Sequence, residues 1–288
     1  MSEDETEKMD STAAPLLTHL TELRNRMIWC IVAFFVGFVL CYTIATPIFN
    51  FLVEPYQVAV RWLERDPSET AFIFTAPQEF FFTRIKIGAF GGLVLAFPLI
   101  ATQLYLFIAP GLYSNEKSAF FPFLFATPVL FLLGAALVYF MIIPMAMWFF
   151  LSMEQPGGEG VVSIQNLPRV SEYLSLIMTL IFAFGLVFQL PVAMTLLAKA
   201  GLVRAEGLAS KRKYAIVLAF IAAAVLTPPD PATQFGLAVP TILLYELSIW
   251  LARRVQPELE DDEFDFDDDD EEDETEGSDD TADEPSKA

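Results

Sequence analysis

Residues 16–26 read LLTHLTELRNR and run without interruption into a long apolar stretch that begins at Met27. Leu16, Leu20, Leu23 and Met27 recur at spacings of four, three and four, which puts them on one face of a helix. His19, Glu22 and Arg26 recur at three and four on the neighbouring face. A charged amphipathic helix that continues into a hydrophobic span sits at a membrane surface. The stretch is therefore a helical entrance platform, and the chain behind it reads as an all-α, polytopic membrane protein.

The composition agrees. Over 288 residues the chain is 55% hydrophobic, with a mean hydropathy of +0.48. The apolar residues come in runs of about 20, the length that crosses a hydrocarbon core of about 30 Å. The net charge of −20 belongs almost wholly to one segment: residues 255–288 hold 19 of the 37 acids and a single base, Lys287. That tail is predicted to be disordered and solvated, as is the acidic segment 1–14. It reads either as an acidic docking tail or as an adaptation to a salty or crowded cytosol. Residues 1–10 are acidic where a cleavable signal peptide would be basic, so none is expected. Cys30 and Cys41 stand eleven apart in one span, about 16 Å along the axis, too far for a disulfide. With one histidine and two cysteines, no His/Cys metal site is expected, and no nucleic-acid partner is implied.

The transmembrane domain is expected over 15–254 as six spans, at about 27–49, 87–108, 119–143, 173–197, 214–226 and 234–252. A loop over 50–78 carries Arg61, Arg65 and Trp62. Arg84 and Lys86 can snorkel from the start of the second span. The uncharged run 119–153 holds 35 residues, about 52 Å of helix, and Pro144 is the expected break. The fifth run, at 13 residues, is only about 20 Å long. Beside a polar sixth helix, it implies local bilayer thinning or a protein-lined recess. Twelve Lys and Arg fall in the tails and the second and fourth loops, which places both termini in the cytoplasm by the positive-inside rule.

The polar residues carry the chemistry. Glu22 reads as an ordinary i,i+4 partner of Arg26, or as one of two carboxylates, with Glu116, on the same membrane face. Two such carboxylates at the edge of a low-dielectric site favour guanidinium groups, whose planar fork bonds both oxygens. Gln189 is a buried amide that packs the bundle or serves a ligand. Glu246 is an intramembrane acid, functional by default, with pairing to a cytoplasmic-end base such as Arg253 as the plainer reading. Pro228, Pro229 and Asp230 form a tight turn.

Four blocks resemble the TatC family, the receptor component of the twin-arginine protein translocase: HLTELRNR at 19–26, FIAPGLYSNEK at 107–117, FGLVFQLPV at 184–192 and LTPPDPATQFGLAVPTILLYE at 226–246. They occur in the family's order, and the resemblance as a whole spans residues 16 to about 254. The resemblance implies a six-helix, cup-shaped bundle with short fifth and sixth helices. It further implies a receptor that binds the twin-arginine signal peptides of folded cargo at the cytoplasmic face. Glu22 and Glu116 would meet the paired arginines, supported by Leu23, Arg24 and Phe107, with Pro110 shaping the loop. Gln189, Gln234 and Glu246 would serve as intramembrane polar and partner contacts: Gln189 in the concave pocket, and the fifth and sixth helices with Gln234 and Glu246 against the single-span proteins TatA and TatB. The resemblance also implies a multi-pass protein of the cytoplasmic (inner) membrane, self-association in a receptor complex, and transport driven by the proton-motive force without a cofactor. Position 189 is glutamate in some relatives, so glutamine here leaves an uncharged hydrogen-bonding group. No Gly-rich phosphate loop is present. The rival reading is a proton- or ion-coupled transporter of a small solute built on Glu246 and Gln189. An enzyme is not expected: an intramembrane protease lacks a mid-membrane aspartate pair.

Overall fold

The computed structural model describes residues 3–66, 71–112, 121–155, 157, 158, 160, 162–164, 166–227 and 230–256, with side chains from Leu20 onward except 108–112 and 121. The described body is helical. Isolated bridges pair Ile73 with Arg169 and Gln155 with Ile164.

Helix α1 runs Glu3–Thr43. The segment 1–14, expected to be disordered, is helical from Glu3, because its Glu, Lys, Met and Ala residues extend a helix already nucleated downstream at little cost. At the other end the first span is shorter than its sequence suggests. Pro47 has no N–H for the carbonyl of Thr43, and the chain turns at Ile44 into α2, Ala45–Trp62. Residues 50–62 were expected as loop and are instead this amphipathic helix. Leu52, Val53, Tyr56, Ala59 and Val60 are buried at helical spacing. Pro55 within α2 leaves the carbonyl of Phe51 without its helical donor, and the hydroxyl of Tyr139 supplies one at 2.8 Å. Tyr173 donates similarly to the carbonyl of Leu52 at 2.9 Å.

Helix α3, Glu79–Leu112, packs along α1 through small residues. A Cβ built on Gly92 would stand 2.5 Å from the backbone nitrogen of Phe38, and one on Gly37 would stand 2.9 Å from the carbonyl of Gly92. The two backbones thus touch directly, the packing that glycine permits between membrane helices.

Pro144 does not end the third span. Helix α4, Phe121–Leu137, passes through a π turn at Val138–Ile142 into α5, Ile143–Ser152. The wider π turn shifts the hydrogen-bond register, and Pro144 takes a first-turn position of α5, where no N–H is needed. The fourth span is kinked instead. Helices α6, Val170–Val187, and α7, Leu190–Lys199, meet at Phe188–Gln189 just before Pro191. A short α8, Ala205–Ser210, precedes α9, Arg212–Leu226, and α10, Pro231–Val255.

Among the described residues, five segments are long and apolar enough to cross a membrane: Leu20–Thr43, Glu79–Phe107, Pro122–Ser152, Val170–Lys199 and Pro231–Val255. Helix α9, at 15 residues, is about 22 Å long and falls short of the hydrocarbon thickness. The sixth helix was expected to be short as well, and it is not: α10 has 25 residues. Asp230 caps its amino end, accepting from the Thr233 backbone N–H at 2.8 Å and its hydroxyl at 2.5 Å, and Pro231 occupies the first turn. This capping carries the helix three residues further back than apolar patterning alone suggests. Arg253 and Arg254 extend the other end, where cations complement the helix dipole. The core joins α2, α5 and α6 around Leu52, Tyr56, Ile142, Ile143 and Ile177.

Candidate functional site

Glu22 lies at the end of the bundle where the α1 span begins and α3 finishes. Arg26, one turn along α1, donates to the same oxygen of Glu22 twice, from Nε at 3.1 Å and from Nη2 at 2.5 Å. Its third contact crosses to α3, Nη1 to Oε1 of Gln103 at 3.3 Å. Both Arg26 contacts fall on Oε1 of Glu22, so among the described residues Oε2 remains open to a further donor. The Glu22 side chain is 40% exposed and Arg26 only 20%, which leaves the carboxylate reachable while its partner is held underneath. The ordinary pairing of Glu22 with Arg26 is thus present, and it is anchored to a second helix. Gln103 carried no signal in the sequence. It lies 77 residues from Arg26, and only the glycine seam of α1 and α3 brings the two together.

Around this pair Leu23 is half-buried and Arg24 is exposed, its guanidinium 3.5 Å from the side-chain oxygen of Asn25. Phe107 is half-buried one turn beyond Gln103, on the same face of α3. Glu116 lies outside the described residues, as do Pro228 and Pro229. Pro110 falls within α3, where only its backbone is described.

Gln189 sits at the α6–α7 kink. There its backbone N–H bonds the carbonyl of Leu186, which leaves the Gly185 carbonyl without its usual helical donor. The side chain replaces it: Nε2 donates to Gly185 O at 3.2 Å and to Thr127 O of α4 at 3.1 Å. Two carbonyl partners fix which end of the amide is nitrogen. Oε1 is buried and accepts nothing among the described residues. Gln189 borders an apolar cavity of about 470 Å³ between α3 and the α6–α7 kink, lined by Phe97, Tyr105, Thr127 and Leu197 among others. The sequence marks the amide, but Thr127 as its partner follows only from the packing of α4 on α6.

Glu246 does not pair with Arg253. Arg212, at the start of α9, takes it in a two-point fork, Nε to Oε1 at 2.7 Å and Nη2 to Oε2 at 2.9 Å. Both side chains are nearly half exposed. The nearby Tyr245 hydroxyl donates to the Leu208 carbonyl of α8 at 2.8 Å, so the two contacts tie α10 to α8 and to the start of α9. Gln234 is half-buried in the first turn of α10, with its backbone N–H on the carbonyl of Asp230 at 3.2 Å.

Comparison with known proteins places this arrangement. The family profile described as Sec-independent protein translocase protein (TatC) matches residues 18–240. The TatC protein of Magnetococcus marinus is 49% identical over 243 residues, covering 84% of this chain and 85% of its own length. The Escherichia coli protein of that name is 36% identical over 239 residues, covering 83% and 88%. A crystal structure titled as the twin-arginine translocase receptor TatC superposes with a TM-score of 0.68 at 38% identity, covering 82% of this chain and 99% of its own. The chain belongs to the TatC family of Sec-independent protein translocase subunits, multi-pass membrane proteins of a transport system.

Proposed function

We propose that this chain is the subunit that reads the paired arginines of twin-arginine signal peptides at the cytoplasmic face of the inner membrane. The observation that carries the reading is Glu22, a reachable carboxylate with one oxygen held by Arg26 and the other open. An incoming guanidinium adds a positive charge to a pair that is already neutral. A second acid is then needed for balance, and Glu116 is the residue assigned to it. Leu23 and Phe107 supply the apolar flank for the residues beside the arginines, and Arg24 shapes its edge.

In the same proposal both termini lie in the cytoplasm, and α9 makes the sixth crossing with local thinning of the bilayer. Gln234 and Glu246 face single-span partners of the TatA and TatB type, and Gln189 serves as the polar group of the pocket. The fork from Arg212 engages both oxygens of Glu246 and makes the pair a structural contact between α9 and α10. That engagement argues against the small-solute transporter reading, which needs a free intramembrane acid.

The test is binding of a labelled twin-arginine peptide to the purified protein in lipid nanodiscs, against the same peptide with both arginines changed to lysine. Lysine keeps the charge and loses the two-point fork. The proposal expects the lysine peptide to bind at least about tenfold more weakly, the loss of one charge-assisted bond. Equal affinity for the two peptides refutes it.

A further inference from the structure

Among the described residues, the basic side chains at the end of the bundle opposite Glu22 are almost all matched by acids. Arg61 pairs with Glu54 at 2.7 Å, Arg169 with Glu172 at 3.1 Å, and Arg65 with Glu154. Arg84 is the exception that has neither acid nor hydrogen-bond acceptor. Its guanidinium stands over the Tyr42 ring, 5.5 Å from the centroid, and its Nε is buried without a partner. Glu79, five residues earlier, is already committed to Ser171 and Thr75. An arginine at a membrane edge that is stacked in place and left without an anion is a receptor for one brought from outside.

The same end of the bundle contains a cleft of about 470 Å³ that is almost purely apolar. It is bounded by Cys41 near the end of α1 and Ile48 in α2, by Gly91 and Leu95 in the first half of α3, and by Ala136 at the end of α4 and Phe140 in the π turn. Antiparallel packing brings these ends to one level, so the cleft and Arg84 lie in the same half of the membrane. Gly91 is seven residues after Arg84 on the same face of α3, about 10 Å further along the axis. Tyr42, which holds the guanidinium, is the neighbour of Cys41 in the cleft wall. The rim residues Leu95 and Phe140 are exposed, so the cleft opens toward lipid rather than toward the protein core.

We propose that Arg84 and this cleft form a phospholipid site. The guanidinium holds the phosphodiester of a lipid in the leaflet farther from Glu22, and one acyl chain lies in the cleft beside Gly91. A guanidinium fork suits phosphate oxygens, and an apolar slot of this volume falls within the range of ligand pockets, about 300–1,000 Å³. Charge complementarity selects an anionic headgroup over a zwitterionic one. The lipid wedges the α1–α3 seam against α4 and so braces the helices that carry the Glu22 platform.

Native mass spectrometry of the full-length protein in mild detergent, titrated with phosphatidylglycerol or with phosphatidylcholine, tests the site. The wild type is expected to retain one phosphatidylglycerol that Arg84→Gln loses, with apparent affinity lowered by about tenfold. Ala136→Phe, which fills the cleft, is expected to lose the same lipid, while Lys86→Gln and excess inorganic phosphate leave it bound. Equal retention in the wild type and Arg84→Gln overturns the site. Equal loss in Lys86→Gln reduces it to bulk charge, and full retention in Ala136→Phe removes the cleft from it. Should Arg84→Gln fail to fold, Arg84→Lys, which keeps the charge without the fork, is expected to bind more weakly than wild type, and unchanged binding there counts against the proposal.

Discussion

Replacing Glu22 with glutamine removes one negative charge and keeps the volume, so it isolates the carboxylate's share of arginine recognition. A hydrogen bond to a charged group contributes about 1.5–3 kcal/mol. The Glu22 side chain is 40% exposed, and water screens it, so the lower end applies: about 1.5–2 kcal/mol, or roughly 10- to 30-fold in dissociation constant. The substitution also strips Arg26 of its partner, and the unmatched guanidinium then repels the incoming one, which acts in the same direction. Stability should hardly change. The lost i,i+4 pair is worth about 0.3–0.5 kcal/mol, a shift of roughly 1–2 °C in Tm for a body of this size. The assay is fluorescence anisotropy of a labelled twin-arginine peptide in nanodiscs, with a thermal melt of each variant alongside. An affinity unchanged within twofold would show that Glu22 is only the surface partner of Arg26. A large fall in Tm would show that any lost binding came from a damaged fold.

Other perturbations probe the frame around the site. Gly92→Ala pushes a methyl to within 2.5 Å of the Phe38 backbone and should cost about 1–3 kcal/mol, and by spreading α1 from α3 it should also weaken peptide binding; a wild-type melting curve with wild-type binding would contradict the direct backbone contact. Gln189→Leu leaves the Gly185 and Thr127 carbonyls without the side-chain donor and should destabilise by about 1–3 kcal/mol, read as loss of folded protein on heating in detergent; a leucine variant as stable as the parent would make the amide dispensable to the kink. For Arg212 and Glu246, both nearly half exposed, a double-mutant cycle to Ala should return a coupling of about 0.2–1 kcal/mol, and a value of several kcal/mol would mean the pair is far drier than its exposure indicates.

Much of this architecture was legible in the residues because membrane helices advertise themselves by length and polarity. The platform at 16–26 could be read from spacing alone, and the 13-residue fifth run matched a helix of only 15 residues. Prolines were the harder signal, since a proline shows where a hydrogen bond is missing but not how the chain compensates. Pro144 looked like a break and was absorbed by a π turn. Pro47, within the stretch expected as the first span, follows the turn at Ile44 that ends the first helix. Pro55 lies in the stretch read as a loop, yet α2 continues through it, with Tyr139 donating to the freed carbonyl. Partners distant in sequence could not be seen at all. Glu246 was a conspicuous acid, but Arg253 on its own helix was a nearer candidate than Arg212, 34 residues away. Gln103 likewise gained its role from the crossing of α1 and α3.

The central claim is that the face carrying Glu22 receives the paired arginines, and site-specific photocrosslinking tests it most directly. A photoreactive residue at Leu23 or Phe107 leaves both Glu22 and Glu116 intact, and one at Trp62 in α2 serves as the control. The account predicts that a twin-arginine peptide crosslinks at 23 and 107, not at 62, and that changing both arginines to lysine abolishes the adduct. Adducts at 23 and 107 that persist with the lysine peptide, or that form only at 62, would contradict it.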